Sequence, residues 1–345
     1  MFGIILECLD MKKIFSISLL SISCLLYTAC GVDYRLIEVQ ALRPAVNAVS
    51  FTDKNLAVFI SLYADGTPEQ YTLRNDSLVM NEIGIGMKEA FENSILFTDY
   101  EVPVYSLYFY CDSDTCDHNI DDEYLQSLRD ETDSQIFIIV DSLWTAPDIS
   151  VVRQYDSDYG YYFYGKTAVP FEIKISLYDA VKKEYISQKH YADTLVWDQA
   201  DFYSLQVVED IPSVTEAVYL AAYEIGKRYT NTMIPYWENM RRFYVVPYGE
   251  DWRRAADLTY VHDWEGAMNI WKQHASSNDN KLASYAAFNT ALACEMLGHY
   301  DLALEWLYYA RTKYYFAYIN GYIELLENRK SDSKELQKQL EEIER

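Results

Sequence analysis

The chain has 345 residues, half of them apolar, and a formal net charge of −24 at pH 7. This length allows about two domains of ordinary size, each with its own core. So much negative charge repels phosphate backbones and anionic lipid headgroups, and we therefore exclude nucleic-acid binding. Tyrosine is unusually frequent at 33 residues, which suits half-buried strands, wet interfaces and sugar-stacking surfaces.

The N-terminal segment has the layout of a bacterial lipoprotein leader. Two lysines precede the apolar run 14–26, and a short box ends at Cys30, with small residues at 28 and 29 and Tyr27 in place of the usual aliphatic residue. The run is too short to span a bilayer, which needs about 20 residues. We therefore predict a signal peptide over 1–29, with translation starting at Met11, and Cys30 as the lipidation site. The alternative is an ordinary secretory leader that merely contains a cysteine.

The residues after Cys30 bear on location. No dense acidic run follows it, which favours the periplasmic face of the outer membrane over the cell exterior. We interpret 30–54 as an N-terminal anchor segment.

Residues 55–230 are predicted to form a mixed α/β domain, from apolar patterns that alternate between strand and helix periods. The predicted strands are 55–64, 102–110, 135–143, 161–178 and 184–196, and the predicted helices are 78–97, 121–132 and 214–228. The fold class is therefore α+β, with an N-terminal mixed β-sheet and flanking helices. The order resembles the small α/β domain of several outer-membrane assembly lipoproteins and of the N-terminal part of TolB.

Two short segments in this domain have more than one interpretation. Cys111 and Cys116 would form a disulfide across a loop in an oxidising compartment. The acids that follow Cys111 partly match a calcium loop, but the required glycine is missing, so we predict a solvated loop and no metal site.

The tyrosine-rich segment 155–164 is either a stacking platform for a glycan or protein, or a hairpin that packs on its own sheet.

Residues 231–345 are predicted to form a tetratricopeptide (TPR)-like helical domain. Pro235 and Pro247 mark the transition to it, and everything beyond that transition is predicted to be helix. Two copies of a TPR pattern occur here, with small residues where paired helices touch and an aromatic residue beside the turn. The structural positions are Ala255, Trp264 and Ala267 in the first copy, and Ala291, Gly298, Tyr300, Ala303 and Ala310 in the second. We predict a third helix pair from 314–329 and 333–345.

In TPR folds the first helix of each pair lines a concave side. The spacing gives that side six mainly aromatic residues, Trp252, Tyr260, Tyr285, Phe288, Leu292 and Met296. Such a groove would bind a peptide or a partner helix. The alternative is that the first domain, or a helix near Trp237, covers it, because exposed apolar patches of this size are unusual.

Catalytic motifs are missing from the sequence. It has no glycine-rich phosphate loop, Gly-x-Ser-x-Gly, His-Glu-x-x-His or Cys-x-x-Cys motif, and its five histidines are scattered. We predict neither enzymatic activity nor a cofactor.

The mature chain resembles a family of uncharacterised Gram-negative outer-membrane lipoproteins, with an N-terminal mixed α/β domain, C-terminal TPR repeats and a domain of unknown function. The resemblance rests on 42–45, 56–62, Trp237, 241–244, 264–271 and 289–295. It implies architecture and location but no mechanism. The expected function is a lipid-anchored envelope scaffold that binds a protein or peptide partner. The alternative is a carbohydrate-binding lipoprotein of a glycan-uptake system, with a glycan as partner.

Overall fold

A computed structural model describes residues 32–51, 54–67, 70–73, 75–97, 101–111 and 120–343. It divides into two compact units. Of the described residues, the helical unit comprises Glu238–Glu335 with 32–41, and the sheet unit comprises those in Leu42–Trp237 together with 336–343. The predicted fold class is confirmed: a mixed sheet with helices precedes a region of packed helices. In the described part of the chain, no helix is long and apolar enough to cross a membrane.

The described elements follow one another as strands and helices in this order: β1 (Asp33–Arg43), β2 (Leu56–Thr67), β3 (Gln70–Leu73), α1 (Asn75–Glu92), β4 (Val104–Cys111), α2 (Asp122–Thr132), β5 (Ile136–Thr145), β6 (Asp148–Asp156), β7 (Gly160–Asp179), β8 (Glu184–Asp201), α3 (Ser204–Asp210), α4 (Val214–Asn231), β9 (Tyr236–Val246), α5 (Glu250–Tyr260), α6 (Trp264–Ala275), α7 (Asn280–Met296), α8 (Tyr300–Lys313) and α9 (Tyr318–Ile343).

The sheet unit contains a mixed sheet that has seven strands among the described residues. Strand β2 runs parallel to β4 and β5, and antiparallel to β3. The long strand β7 pairs antiparallel with β5, β6 and β8. Each predicted strand and helix of this unit is therefore present, within a few residues of its predicted ends. The sequence analysis missed β3, β6 and α3.

One face of the sheet packs against α1 and α4. The core there combines apolar sheet residues with Ile83 and Met87 of α1, and with Ala221 and Ile225 of α4. The two helices approach closely through glycines. A Cβ on Gly86 would overlap the carbonyl oxygen of Tyr223, and a Cβ on Gly226 would overlap that of Ile83.

The other face is covered at one end by α2. Leu125 and Leu128 of this helix pack on Phe59, Phe137 and Tyr178 of the sheet. The helix has only 11 residues. Its N-cap is Asp121, whose side chain accepts a hydrogen bond from a backbone N–H in the first turn. Further along the same face, the sheet side chains are exposed, as at Trp144.

The helical unit is built from two antiparallel hairpins, α5 with α6 and α7 with α8. Aspartates cap the starts of α6 and α7, where the side chains of Asp263 and Asp279 accept backbone N–H groups. Helix α7 is central, because every residue from 283 to 295 is buried. The turns need a left-handed residue, which Gly298 supplies at φ 76° and His262 at φ 60°.

Two expectations for the C-terminal region are wrong. Residues 236–246, predicted as helix, form β9, which pairs with β1 in a two-stranded sheet. The prolines at 235 and 247 bracket this strand and do not mark the start of a helical region. The predicted third helix pair is instead the single helix α9, because no glycine or proline interrupts the chain between 329 and 333.

The contact between α1 and α4 gives a stability prediction. Replacing Gly226 with alanine forces the helices apart, because the added methyl meets a backbone carbonyl that cannot rotate away. We expect Gly226→Ala to lower the free energy of unfolding by about 3 kcal/mol, the upper end for overpacking. Urea unfolding followed by circular dichroism measures this loss.

The matched control is Gly321→Ala in α9, where an added Cβ meets nothing within 4 Å. It should be neutral or stabilising by up to about 1 kcal/mol. Equal losses in the two variants would contradict the close helix crossing.

Candidate functional site

Three predicted sites fall wholly or partly outside the described residues. Cys30 and the signal peptide lie there, and so do Cys116 and the acidic loop between 112 and 119. The backbone of Cys111 ends β4, but its side chain is not described. Lipidation and the disulfide therefore stay predictions. Within the described part, no group of three or more potential ligands is placed to hold a metal ion.

The predicted TPR positions have the burial that helix pairing requires. Among them, Ala267 and Ala303 are fully buried where the hairpin helices touch, and so are Ala255, Ala291 and Ala310. Trp264 and Tyr300 are half-buried beside the turns that precede α6 and α8.

The six residues of the predicted groove are not together on a surface. Trp252, Tyr285, Phe288 and Leu292 are all buried, while Tyr260 is 81% exposed. A partner could reach Trp252, Tyr285 and Leu292 only by displacing core packing. Partner binding by this set stays a prediction, but the helical unit offers a different opening.

That opening is a largely apolar cavity of about 250 Å³, which we call the aromatic pocket. Its wall residues come from β9, from α7, and from α9 and the residue before it. They are Arg241, Arg242, Phe243, Phe288, Ala317, Tyr318, Gly321, Tyr322 and Leu325. Phe288 is thus the one member of the predicted groove set that lines it. At Gly321 the wall has no side chain, and this leaves open space.

The walls of the aromatic pocket are ordered by contacts between rings. Phe243 stacks on Phe288 with ring centroids 5.1 Å apart, and it meets Tyr318 edge-on at 4.6 Å. Tyr34 from β1 extends the cluster to Tyr318 at 6.1 Å. Such tilted and offset pairs are favourable beyond the area that they bury.

A buried ionic network lies behind the pocket. Arg242 donates to both carboxylate oxygens of Glu295, at 2.8 and 3.0 Å, and the Tyr322 hydroxyl donates to the same carboxylate at 2.7 Å. Arg329 Nε lies 3.8 Å from it. Burial would lower the pKa of Arg242, but the hydrogen bonds with Glu295 outweigh this effect and raise it. Burial and then the Glu295 carboxylate raise the pKa of Tyr322 well above its usual value.

The side chain of Asn289 also attaches β9 to α7. It accepts a hydrogen bond from the backbone N–H of Val245 at 2.9 Å and donates to the carbonyl of Val245 at 2.7 Å. Sequence reasoning gave no role to Asn289 or Glu295. The available signal was an amide and a carboxylate inside a largely apolar stretch of helix, where unpaired polar groups would be costly.

The tyrosine-rich hairpin joins β6 to β7. Tyr155, Tyr159 and Tyr161 are exposed, and the Arg153 guanidinium lies 4.1 Å from the ring centroid of Tyr161. Tyr155 and Tyr161 meet edge to face, so these two rings form no flat platform. Binding of a glycan or protein by this hairpin stays a prediction.

Comparisons with family models match two regions. Residues 101–245 match a domain of unknown function, DUF8603, and residues 253–343 match a second domain of unknown function, DUF6340. The second match covers most of the helical unit. No curated protein matches the chain.

Solved structures give distant likenesses. A Helicobacter pylori protein described as a homolog of a neuraminyllactose-binding hemagglutinin is 7% identical over 54% of this chain and 87% of its own, with a TM-score of 0.24. A Xanthomonas campestris protein of the DUF330 family is 11% identical over 55% and 84%, with a TM-score of 0.21. A hypothetical protein from Chlamydia trachomatis is 10% identical over 52% and 96%, with a TM-score of 0.23. Likenesses this remote carry no conclusion about fold or function.

The ionic network gives a second stability prediction. Glu295→Gln removes the charge that compensates Arg242 in the core. We expect a loss of about 3–5 kcal/mol in the free energy of unfolding, typical of a buried pair that loses one partner. Thermal and urea unfolding measure this change.

The control uses the neighbouring arginine of the same strand. Arg241 pairs with Glu38 at 3.2 Å, and both side chains are more than 70% exposed. Glu38→Gln should therefore cost less than about 1 kcal/mol. Similar costs for the two variants would show that burial of the Glu295 pair has no energetic consequence.

Proposed function

We propose that this protein is a lipid-anchored scaffold of the cell envelope that binds a peptide segment of a partner protein in the aromatic pocket. The observation that carries the proposal is the pocket itself: an open apolar cavity with aromatic walls and no side chain at Gly321. A cavity of about 250 Å³ suits one large apolar side chain, and such anchors dominate peptide recognition.

Rigidity of the walls supports this role. Arg242, Tyr322 and Glu295 fix β9 and α9 to α7 before any ligand arrives. A preorganised site loses little conformational entropy on binding, so more of the contact energy appears as affinity. Peptide binding of this kind requires no catalytic residue.

The charge at the rim suggests what flanks the anchor. Arg241 is an exposed cation on a chain with a net charge of −24, and its pair with Glu38 is a solvent-exposed one of little energetic value. A carboxylate of the partner can replace Glu38 at small cost. The preferred ligand is therefore an apolar side chain next to an acidic group.

Filling the pocket tests this function. We expect Gly321→Trp to occupy the cavity without disturbing the core, because space is already open there. A photocrosslinker at Tyr318 would identify the bound segment in cells, and fluorescence anisotropy with the matching synthetic peptide would give the affinity. Gly321→Trp should weaken binding by about 10-fold or more.

Asn320→Trp is the matched control, since residue 320 is exposed on the same helix and does not line the pocket. It should bind as the wild type does. A crosslinked peptide whose affinity is unchanged by Gly321→Trp would place partner binding elsewhere.

The anchor is tested separately. We expect the wild type to incorporate labelled palmitate and to sediment with outer membranes, because acyl chains on Cys30 would hold it there. Cys30→Ser should abolish the label and release the protein from the membrane fraction. If the wild type carries no label, lipidation is contradicted. The proposed peptide binding in the aromatic pocket is not affected by that result.

A further inference from the structure

The sheet unit has a second concave site, on the face whose other end α2 covers. It is a cleft of about 380 Å³, which we call the Trp144 cleft, lined by Ser142, Leu143, Trp144, Glu172, Lys174 and His190. Trp144 is 58% exposed, although tryptophan is highly buried on average.

Strand register places the polar groups beside the indole. Trp144 of β5 lies opposite Glu172 of β7. Two residues away on each strand, Ser142 lies opposite Lys174. Lys174 in turn lies opposite His190 of β8. Residues two apart share one face of a strand, so these five side chains line one face of the sheet.

Hydrogen bonds hold the polar groups while leaving binding capacity. His190 Nδ1 lies 2.8 Å from Glu172 Oε1, which leaves the second oxygen of Glu172 and Nε2 of His190 for a ligand. Lys174 Nζ is 3.6 Å from Asp141, and the Ser176 hydroxyl donates to that carboxylate at 2.7 Å. The cleft thus offers both donors and acceptors next to an apolar ring.

This combination fits a sugar. A pyranose has an apolar face of C–H groups that packs on an aromatic ring, and hydroxyls at its edge that both donate and accept. The Lys174 cation lies 3.6 Å from the Asp141 carboxylate, and the net charge of −24 repels anions. We infer that the Trp144 cleft binds a neutral oligosaccharide, independently of the aromatic pocket.

Titration calorimetry of the purified full chain with cellotriose, chitotriose and maltotriose tests this. We expect one of these neutral sugars to bind with a Kd of roughly 0.1–1 mM. Trp144→Ala should weaken binding about 10-fold or more, and Glu172→Gln should weaken it less, since it keeps one acceptor. The control is Trp237→Ala, a half-exposed tryptophan outside the cleft, which should leave binding unchanged.

Three results would overturn the inference. They are no binding of any of the three sugars, equal weakening by Trp144→Ala and Trp237→Ala, or Trp144-dependent binding of sialyllactose without binding of the neutral sugars. Gly321→Trp should not change sugar binding, so failure here is separate from failure of the peptide site.

Discussion

The helical unit depends on one buried charge, the guanidinium of Arg242, and on the carboxylate that neutralises it. An unpaired charge in a core is costly, so β9 has a single acceptable position, with Arg242 beside Glu295. A shift of β9 by one residue would move Arg242 away from Glu295 and break the hydrogen bonds between Asn289 and Val245. It would also turn buried side chains of the strand towards solvent. The walls of the aromatic pocket are thereby fixed, because Phe243 and Tyr322 are part of the same arrangement.

Composition left open why the chain uses so much tyrosine, and the structure gives two answers. Some tyrosines are core residues with a polar tip, such as Tyr63, whose hydroxyl donates to the carbonyl of Asp141, and Tyr229, whose pKa burial raises to about 12. Others, such as Tyr155 and Tyr159, are exposed on the β6–β7 hairpin. One residue type therefore serves both a dense interior and a wet surface.

Local periodicity predicted most of the fold and little of the site. Strands and helices with neighbouring partners, such as β2, α1 and the α7–α8 hairpin, were predictable from the spacing of apolar residues. Strand β9 was not, because its partner β1 lies about 200 residues earlier and no local pattern records that pairing. Whether the predicted groove is accessible could not be predicted, for a related reason. Repeat spacing predicts which side chains share a helix face, but not whether that face is covered, and Trp252 and Tyr285 are buried. Trp144 went unremarked because a single aromatic residue at the end of a buried strand is no motif.

The end of α9 is joined to the start of the sheet unit by an unusual contact. The side-chain amide of Gln339 donates to the carbonyl of Ala45 and accepts its N–H, both at 2.9 Å, across 294 residues of chain. A ribosome makes Gln339 294 residues after Ala45. This contact therefore cannot form before α9 has been synthesised, just as the pairing of β1 with β9 must wait for β9, and loops this long close slowly. The nascent sheet unit stays incomplete over that interval, in which chaperones can bind it.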